Sequence, residues 1–544
     1  MQRPVEVLSQ YRPHSGTLDS MLASRAAAAP GREFLVFEDA ALSYAAAQRR
    51  VARAAVLFAA RGVQAGDRVG VMSTNHPSTV ITLMALARIG AVMVPVNPDY
   101  RAAEAGYVLH HARVSGVLCS PETLPTVREA IAAMAPTPWL MLNRAGAAGL
   151  PVFDDELAAT QGPAPNDTAT PDVPCVFIYT SGTTGFPKGV MHGQRALLLA
   201  GEGFVQRMYL QPEDRLLCIL PMFHINALFY SLAGALAAGA TLILLPRFSA
   251  HTFWRDVART RATEANTIAA VSNILIRRSR SEFVPGHSLR KIYGAPFSAE
   301  TYDVFAHEFD VPTLIEGYGM SEIPGALNNP FEGPHKIGSM GKPSLHPDPR
   351  IQLAQLKIVD DQGRDLPVGQ TGELMVKTPL VMLGYYRDAE QTSAAMCDGW
   401  FRTADLAWRD RDGYFWFVAR KKDIIRKRGE NISGAELDRV VESHPDVLQA
   451  AAIPVPDELG EDEILVVVAL RSGATLSAQA VADWCRERLA AIKVPRYVVF
   501  VDALPQTPTH RVAKYKLRED KSLIARAADL ATPRSPSPNA TRPS

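Results

Sequence analysis

Between Tyr179 and Val190 the chain reads Tyr-Thr-Ser-Gly-Thr-Thr-Gly-Phe-Pro-Lys-Gly-Val. Glycines let a backbone turn tightly and present successive N–H groups, hydroxyls add donors, and one lysine adds a point charge. Ser181-Gly182 and Thr183-Thr184-Gly185, followed by Lys188, therefore carry the equipment to grip a polyphosphate. The run is not a Walker A loop, because Lys188 is followed by Gly189 and no Gly-Lys-Ser/Thr triplet closes it. A surface turn rich in Ser, Thr and Gly is the plain alternative for any part of this string.

Further stations follow along the chain. Pro221-Met-Phe-His224-Ile-Asn226 sets a histidine among apolar residues, where a core histidine is the ordinary finding. In Glu316-Gly-Tyr318-Gly-Met-Ser321-Glu322 a glycine-spaced aromatic can lie flat on a purine. Glu322 offers a hard oxygen for Mg²⁺ and Ser321 a hydroxyl for phosphate, against the alternative of a turn with a buried tyrosine. Trp400-Phe-Arg-Thr403-Ala-Asp405 presents a carboxylate that can accept two hydrogen bonds from a ribose diol. Arg420-Lys-Lys-Asp423 and Lys427-Arg-Gly429-Glu430-Asn431 make a basic stretch, either a solvated hairpin or a cationic junction near nucleotide phosphates.

These residues need a scaffold that holds them. At 544 residues the chain exceeds one ordinary core. Helical spacing at Ala45–Arg61, Ser78–Ile89, Phe253–Arg261 and Ala299–Phe309 alternates with strand-like runs at Arg68–Ser73, Ala91–Val96, Ala265–Ile268 and Thr313–Glu316. That alternation predicts an α/β fold of helix-covered, mainly parallel sheets over residues 1–420, with a β-rich subdomain around Lys357–Val376. From 421 to 523 a small α+β domain is expected, opening with an amphipathic helix capped by Ser433. The tail 524–544, rich in Ala, Pro and Ser, reads as disordered.

Composition narrows the function classes. Basic and acidic residues number 57 and 56, so no charge excess points to nucleic acid. Five widely spaced cysteines without a CxxC suggest neither a disulfide framework nor a zinc site, and suit the cytoplasm. Ile225–Pro246 carries no charge, but its glycines split it into a buried helix Asn226–Ala237 and a strand Thr241–Leu245 rather than a membrane span.

In this order the stations resemble the adenylate-forming superfamily of acyl-CoA synthetases, nonribosomal-peptide adenylation domains and firefly-type luciferases. The run GYGMSE, the RKKDII–RGENIS junction and KVPRYVVFVDALPQTPT look most like the carnitine/crotonobetaine-CoA ligase group. The resemblance implies a large N-terminal domain, a mobile C-terminal domain and two half-reactions. A small carboxylic acid and ATP give an acyl-adenylate, and a thiol, usually coenzyme A, then displaces AMP. Thr180, Ser181, Gly182, Thr183, Thr184, Gly185 and Lys188 would hold the β- and γ-phosphates. Gly294, Ala295 and Pro296 would line the adenine pocket with Glu316, Gly317, Tyr318, Gly319 and Met320. Ser321 and Glu322 would serve the α-phosphate and Mg²⁺, Asp405 and Arg420 the ribose, and His224 the acyl carboxylate. Lys422 matches the hinge, and Gly429, Glu430 and Asn431 the thiol tunnel. The acceptor could also be a carrier-protein thiol or an amine, and a protein that binds acyl-adenylate without turnover is a third reading. Oligomers are compatible with all three.

Two positions depart from the family pattern. Where a Gly-Lys pair usually follows the Pro-Thr stretch, this chain has His510-Arg511. Arg511 falls in the slot of the lysine that bridges carboxylate and α-phosphate, and the exchange is not conservative. Either Arg511 acts there, or Lys514 reaches in from one turn away, or adenylation is weakened. Ala404 replaces the usual glycine of a Thr-Gly-Asp motif.

Overall fold

Strand Val92–Val96 is buried at every position, the signature of a parallel strand covered on both faces. It lies in the middle of a seven-stranded sheet ordered Gly384–Tyr385, Lys188–Gly193, Pro174–Thr180, Val92–Val96, Arg68–Met72, Gly116–Cys119 and Trp139–Leu142. The last five run parallel, while Pro174–Thr180, Lys188–Gly193 and Gly384–Tyr385 alternate in direction. This computed structural model describes residues 1–146, 149–165, 169–180, 187–427, 430–456, 462–506 and 512–530.

A second sheet has nine strands. Its parallel centre contains Glu33–Phe37, Thr241–Leu244, Arg215–Cys218, Glu264–Asn266, Lys291–Gly294 and Thr313–Met320. Helices cover the sheets where the apolar spacing predicted them. Tyr44–Ala60 is capped by Ser43, and Pro77–Arg88 by His76 with proline in its first turn. The β-rich region is a five-stranded sheet that includes Gln355–Val359, Gly372–Lys377 and Trp400–Arg409.

By internal contacts the chain divides into two units. One comprises Met1–Gln370, Leu374–Thr403 and Arg409–Trp416, the other Thr371–Glu373, Ala404–Trp408 and the chain from Phe417 onward. The second unit has its own core, in which Leu437 and Val441 of the helix Gly434–Glu442 pack with Ala450, Val466 and Val498. Ser433 caps that helix, as its spacing predicted.

Three local expectations are corrected. Asn226–Leu232 is a π-helix that passes into the α-helix Ala233–Ala238. An uncharged run has no polar face to fix a 3.6-residue period, so its sequence could not reveal the wider turn. The strand from Thr313 continues through the Glu316–Met320 motif to Met320. Residues 524–530 are ordered, with Ala528–Asp529 pairing against Tyr497–Val498, whereas 531–544 lie outside the described residues. Among the described residues no helix is long and apolar enough to cross a membrane.

Candidate active site

Thr180 ends one strand, Lys188 begins the next, and the two are paired across the ladder. Ser181, Gly182, Thr183, Thr184 and Gly185 lie outside the described residues. The Lys188 ammonium sits 4.9 Å from the centre of the Tyr385 ring, within cation–π range. Tyr385 is placed there because its strand pairs with the Lys188 strand, Tyr385 opposite Val190. Its hydroxyl donates to Glu322 Oε1 at 2.9 Å. Burial and the adjacent carboxylate push the phenol well above its ordinary range, so it stays a neutral donor. Lys188, Tyr385 and Glu322 thus form one connected chain of side chains.

Glu322 sits in the turn of the hairpin in which Thr313–Met320 pairs antiparallel with Ile323–Asn328. Its carboxylate is nearly buried, and its carbonyl accepts from the Met382 N–H at 2.8 Å. The preceding carbonyl, of Ser321, accepts from His192 Nε2 at 2.6 Å. His192 shares a strand face with Lys188 and Val190, is wholly buried, and meets Phe229 edge-on at 4.9 Å. Burial lowers its pKa to about 4, and the carbonyl partner fixes the Nε2–H tautomer of a neutral ring.

Gly294 ends its strand opposite Glu316. A Cβ on Gly294 would lie 2.7 Å from both the Phe297 ring and Thr267 Oγ1, and one on Gly317 would lie 2.4 Å from Tyr293 Oη. Backbone therefore forms these walls because side chains would not fit. The Glu316 carboxylate is engaged within the fold. One carboxylate oxygen accepts from Phe297 N at 2.9 Å, the other from Gly338 N at 3.1 Å and Tyr302 Oη at 3.2 Å. It braces the loop after Gly294, including Ala295 and Pro296, and burial raises its pKa.

His224 stands at the entry to the π-helix, its carbonyl receiving Leu228 N at 3.4 Å. Asn75 pins the loop before it. The Asn75 amide donates to the Leu220 and Leu245 carbonyls, each at 3.0 Å, and accepts from Met222 N at 2.8 Å.

The second unit carries the remaining residues. Asp405, buried, pairs with Arg420 Nε at 3.2 Å. Ala404 before it has φ 56°, the left-handed conformation that glycine adopts without strain. Glu373 receives Ala404 N at 3.3 Å and pairs with Lys421 at 3.0 Å. Lys422 lies in the 3₁₀ turn Lys421–Asp423, and Glu430 and Asn431 in the strand Glu430–Ser433. Gly429 and Arg511 lie outside the described residues. Lys514 is committed inside this unit, 2.5 Å from Asp438 Oδ2 and 3.0 Å from the Ala452 carbonyl.

The AMP-binding enzyme family matches residues 22–386, and its C-terminal domain matches 436–511. This chain belongs to the AMP-binding enzyme family. It is 33% identical over 506 residues to the sulfoacetate–CoA ligase of Cupriavidus necator, covering 92% of this chain and 97% of that protein. It is 30% identical over 491 residues to the crotonobetaine/carnitine–CoA ligase of Salmonella paratyphi B, covering 88% and 93%. ATP-bound MatB from Rhodopseudomonas palustris superposes with a TM-score of 0.83 at 28% identity, over 93% of this chain and 98% of its own.

In this AMP-binding enzyme, Tyr385, His192 and Asn75 hold site segments that the sequence motifs did not single out. The ladder pairing that delivers Tyr385 joins strands nearly two hundred residues apart, as the pairing of Tyr385 with Val190 records. For His192 a weak signal existed, its even spacing from Lys188 along one strand. Among the described residues no group of three or more His, Cys, Asp or Glu could cage a metal. Mg²⁺ is commonly held by one or two carboxylates together with substrate phosphates, so the single carboxylate of Glu322 fits that ion.

Proposed function

We propose that this AMP-binding enzyme is an ATP-dependent acid–thiol ligase. It joins a small carboxylic acid to AMP with release of pyrophosphate, then passes the acyl group to coenzyme A with release of AMP. The Lys188–Tyr385–Glu322 chain carries the reading, because it joins a phosphate-facing cation to a metal-suited carboxylate through a neutral donor. Relatives named for sulfoacetate and for crotonobetaine/carnitine support a small polar acid as substrate and free coenzyme A as acceptor.

In this proposal Lys188 and the Thr180–Gly185 loop position the β- and γ-phosphates. Attack of the carboxylate on the α-phosphorus develops negative charge, which fixed cations and donors stabilise without reorganising. Glu322 would hold Mg²⁺, whose chemistry is charge neutralisation on the phosphates. His192, by gripping the Ser321 carbonyl, fixes the turn that presents Ser321 and Glu322. Asn75 sets the loop that brings His224 to the acyl carboxylate. Asp405, held against Arg420, receives the ribose. Lys422 is the hinge, and Gly429–Asn431 line the thiol path. Arg511 takes the bridging role, because Lys514 is already paired with Asp438. Five free cysteines suit the reducing cytoplasm.

The test is pyrophosphate release with hydroxylamine trapping, with and without coenzyme A. Trapped hydroxamate without the thiol and thioester with it are expected. Hydroxamate without thioester would redirect the acyl group to a carrier or an amine, and neither product with any acid would remove the ligase reading.

A further inference from the structure

One buried cation is not used by the chemistry above. Arg207 lies in the last turn of the helix Gln194–Met208 and is 3% exposed. Three segments of the candidate site each set a residue against it. Tyr293 directly precedes Gly294, Tyr230 lies in the π-helix one turn beyond Asn226, and Gly325 comes three residues after Glu322. Arg207 donates to Tyr293 Oη at 3.3 Å, to the Gly325 carbonyl at 3.0 Å and to Ser344 Oγ at 3.3 Å. The rings of Tyr293, Tyr230 and Phe204 stand 5.1, 5.2 and 5.7 Å from its guanidinium carbon. Gly325 has φ 62°, and a Cβ there would lie 2.4 Å from the guanidinium. Only glycine lets the cation come so close to the hairpin that carries Glu322.

Every one of these partners is neutral. Among the described residues no carboxylate pairs with Arg207, and its Nε has no acceptor. Lys291, equally buried, shows the usual arrangement, with Asp214 at 2.7 Å. A buried charge is costly unless it is both hydrogen-bonded and paired. Rings and carbonyls offset part of that cost for Arg207, and an anion delivered by a ligand would supply the rest.

We propose that Arg207 is an anion subsite for the acid substrate, set among the segments that carry His224, Gly294 and Glu322. The acid that this enzyme activates then carries a second acidic group, carboxylate or sulfonate, remote from the carboxylate that is adenylated. The inference rests on the ligase reading. Arginine's planar fork suits either oxyanion. An acid with an apolar tail would leave the guanidinium unpaired beside it, so the same residue selects against such substrates.

The test is coenzyme A-dependent AMP formation by the full-length enzyme. Malonate, succinate and sulfoacetate are compared with acetate, propanoate, butanoate and benzoate, in wild type, Arg207→Gln and Arg207→Lys. At least one doubly acidic substrate should exceed its monoacid counterpart by about a hundredfold in kcat/KM. Arg207→Gln should erase that preference, Arg207→Lys should keep part of it, and the KM for ATP should stay unchanged in both. Turnover of monoacids alone by the wild type would overturn the subsite, and this arm decides even where the glutamine variant fails to fold. An equal loss for every acid in a folded variant would make Arg207 a strut between helix and hairpin. No turnover of any acid by the wild type would count against the ligase reading instead.

Discussion

Two site cations of the first unit, unlike its paired Lys291, are treated in the opposite way to four cations of the second. In the first, Lys188 faces the Tyr385 ring and Arg207 faces rings and neutral oxygens, and among the described residues neither has an ion pair. In the second, Arg420, Lys421, Lys427 and Lys514 pair with Asp405, Glu373, Glu463 and Asp438. A cation matched by a local carboxylate has spent its charge on the fold, whereas one held by a ring or carbonyl can still meet an anion that arrives. The first arrangement suits phosphate and carboxylate recognition, and the second suits rigid local structure. Ion pairs with a mostly buried carboxylate, such as Lys514 with Asp438, are costly to break because the acid is left behind.

Lys188→Ala gives the largest break in this contrast. Loss of a cation that acts in the transition state should lower kcat/KM for ATP by roughly 10²–10³-fold, as for removal of one oxyanion donor. Its melting temperature should stay unchanged, because the side chain has no carboxylate partner to strand. ATP–pyrophosphate exchange measures the effect, and undiminished exchange would withdraw the phosphate role.

Lys514→Ala should do the reverse, costing about 3 kcal/mol of stability by leaving Asp438 unpaired while thermally stable variants at that site keep adenylation. Arg511→Ala should leave stability alone and cut adenylation more than thioester formation from a supplied acyl-adenylate. Denaturant titration and the two half-reaction assays separate these outcomes. A selective adenylation defect in Lys514→Ala, with the fold intact, would move the bridging role to Lys514.

His192 tests the neutral surroundings of Glu322 in the first unit. Its folded pKa, about 4, lies below the unfolded value of 6.5, so the unfolded chain binds more protons between them. Stability from the neutral ring is present above pH 6.5 and is lost as pH falls towards 4, by up to about 3 kcal/mol. His192→Gln keeps a donor for the Ser321 carbonyl and removes the titration. Its unfolding free energy should therefore fall less steeply across pH 6.5 to 4 than that of the wild type. Parallel slopes would mean that the ring is protonated in the fold.

The smallest effect sharpens the second unit. Ala404→Gly relieves a left-handed φ of 56° and should raise stability by about 1 kcal/mol, less the entropy that glycine adds to the unfolded chain. Thermal unfolding reads it directly, and a drop in melting temperature would show that the alanine methyl makes compensating contacts.

Much of this was legible before any coordinates. The alternation of helical and strand-like runs located Tyr44–Ala60, Pro77–Arg88 and Tyr497–Phe500 within a residue or so, because periodicity is a local property. Lys188, Glu322 and Asp405 stood out by type and spacing. Glu316 shows where that reading stops, since a carboxylate in a binding motif looks the same whether it faces a ligand or braces Phe297 and Gly338.

The sequence by itself determined the elements, the order of the stations and the departure at Arg511, all of which depend on neighbours along the chain. Only tertiary structure decided which cations keep their charge for a ligand. Tyr385 reaches Glu322 because its strand docks beside Lys188, and Arg207 meets Tyr230, Tyr293 and Gly325 from three separate segments. Such pairings bring together residues dozens to hundreds of positions apart, and desolvation, which sets their value, depends on everything packed around them.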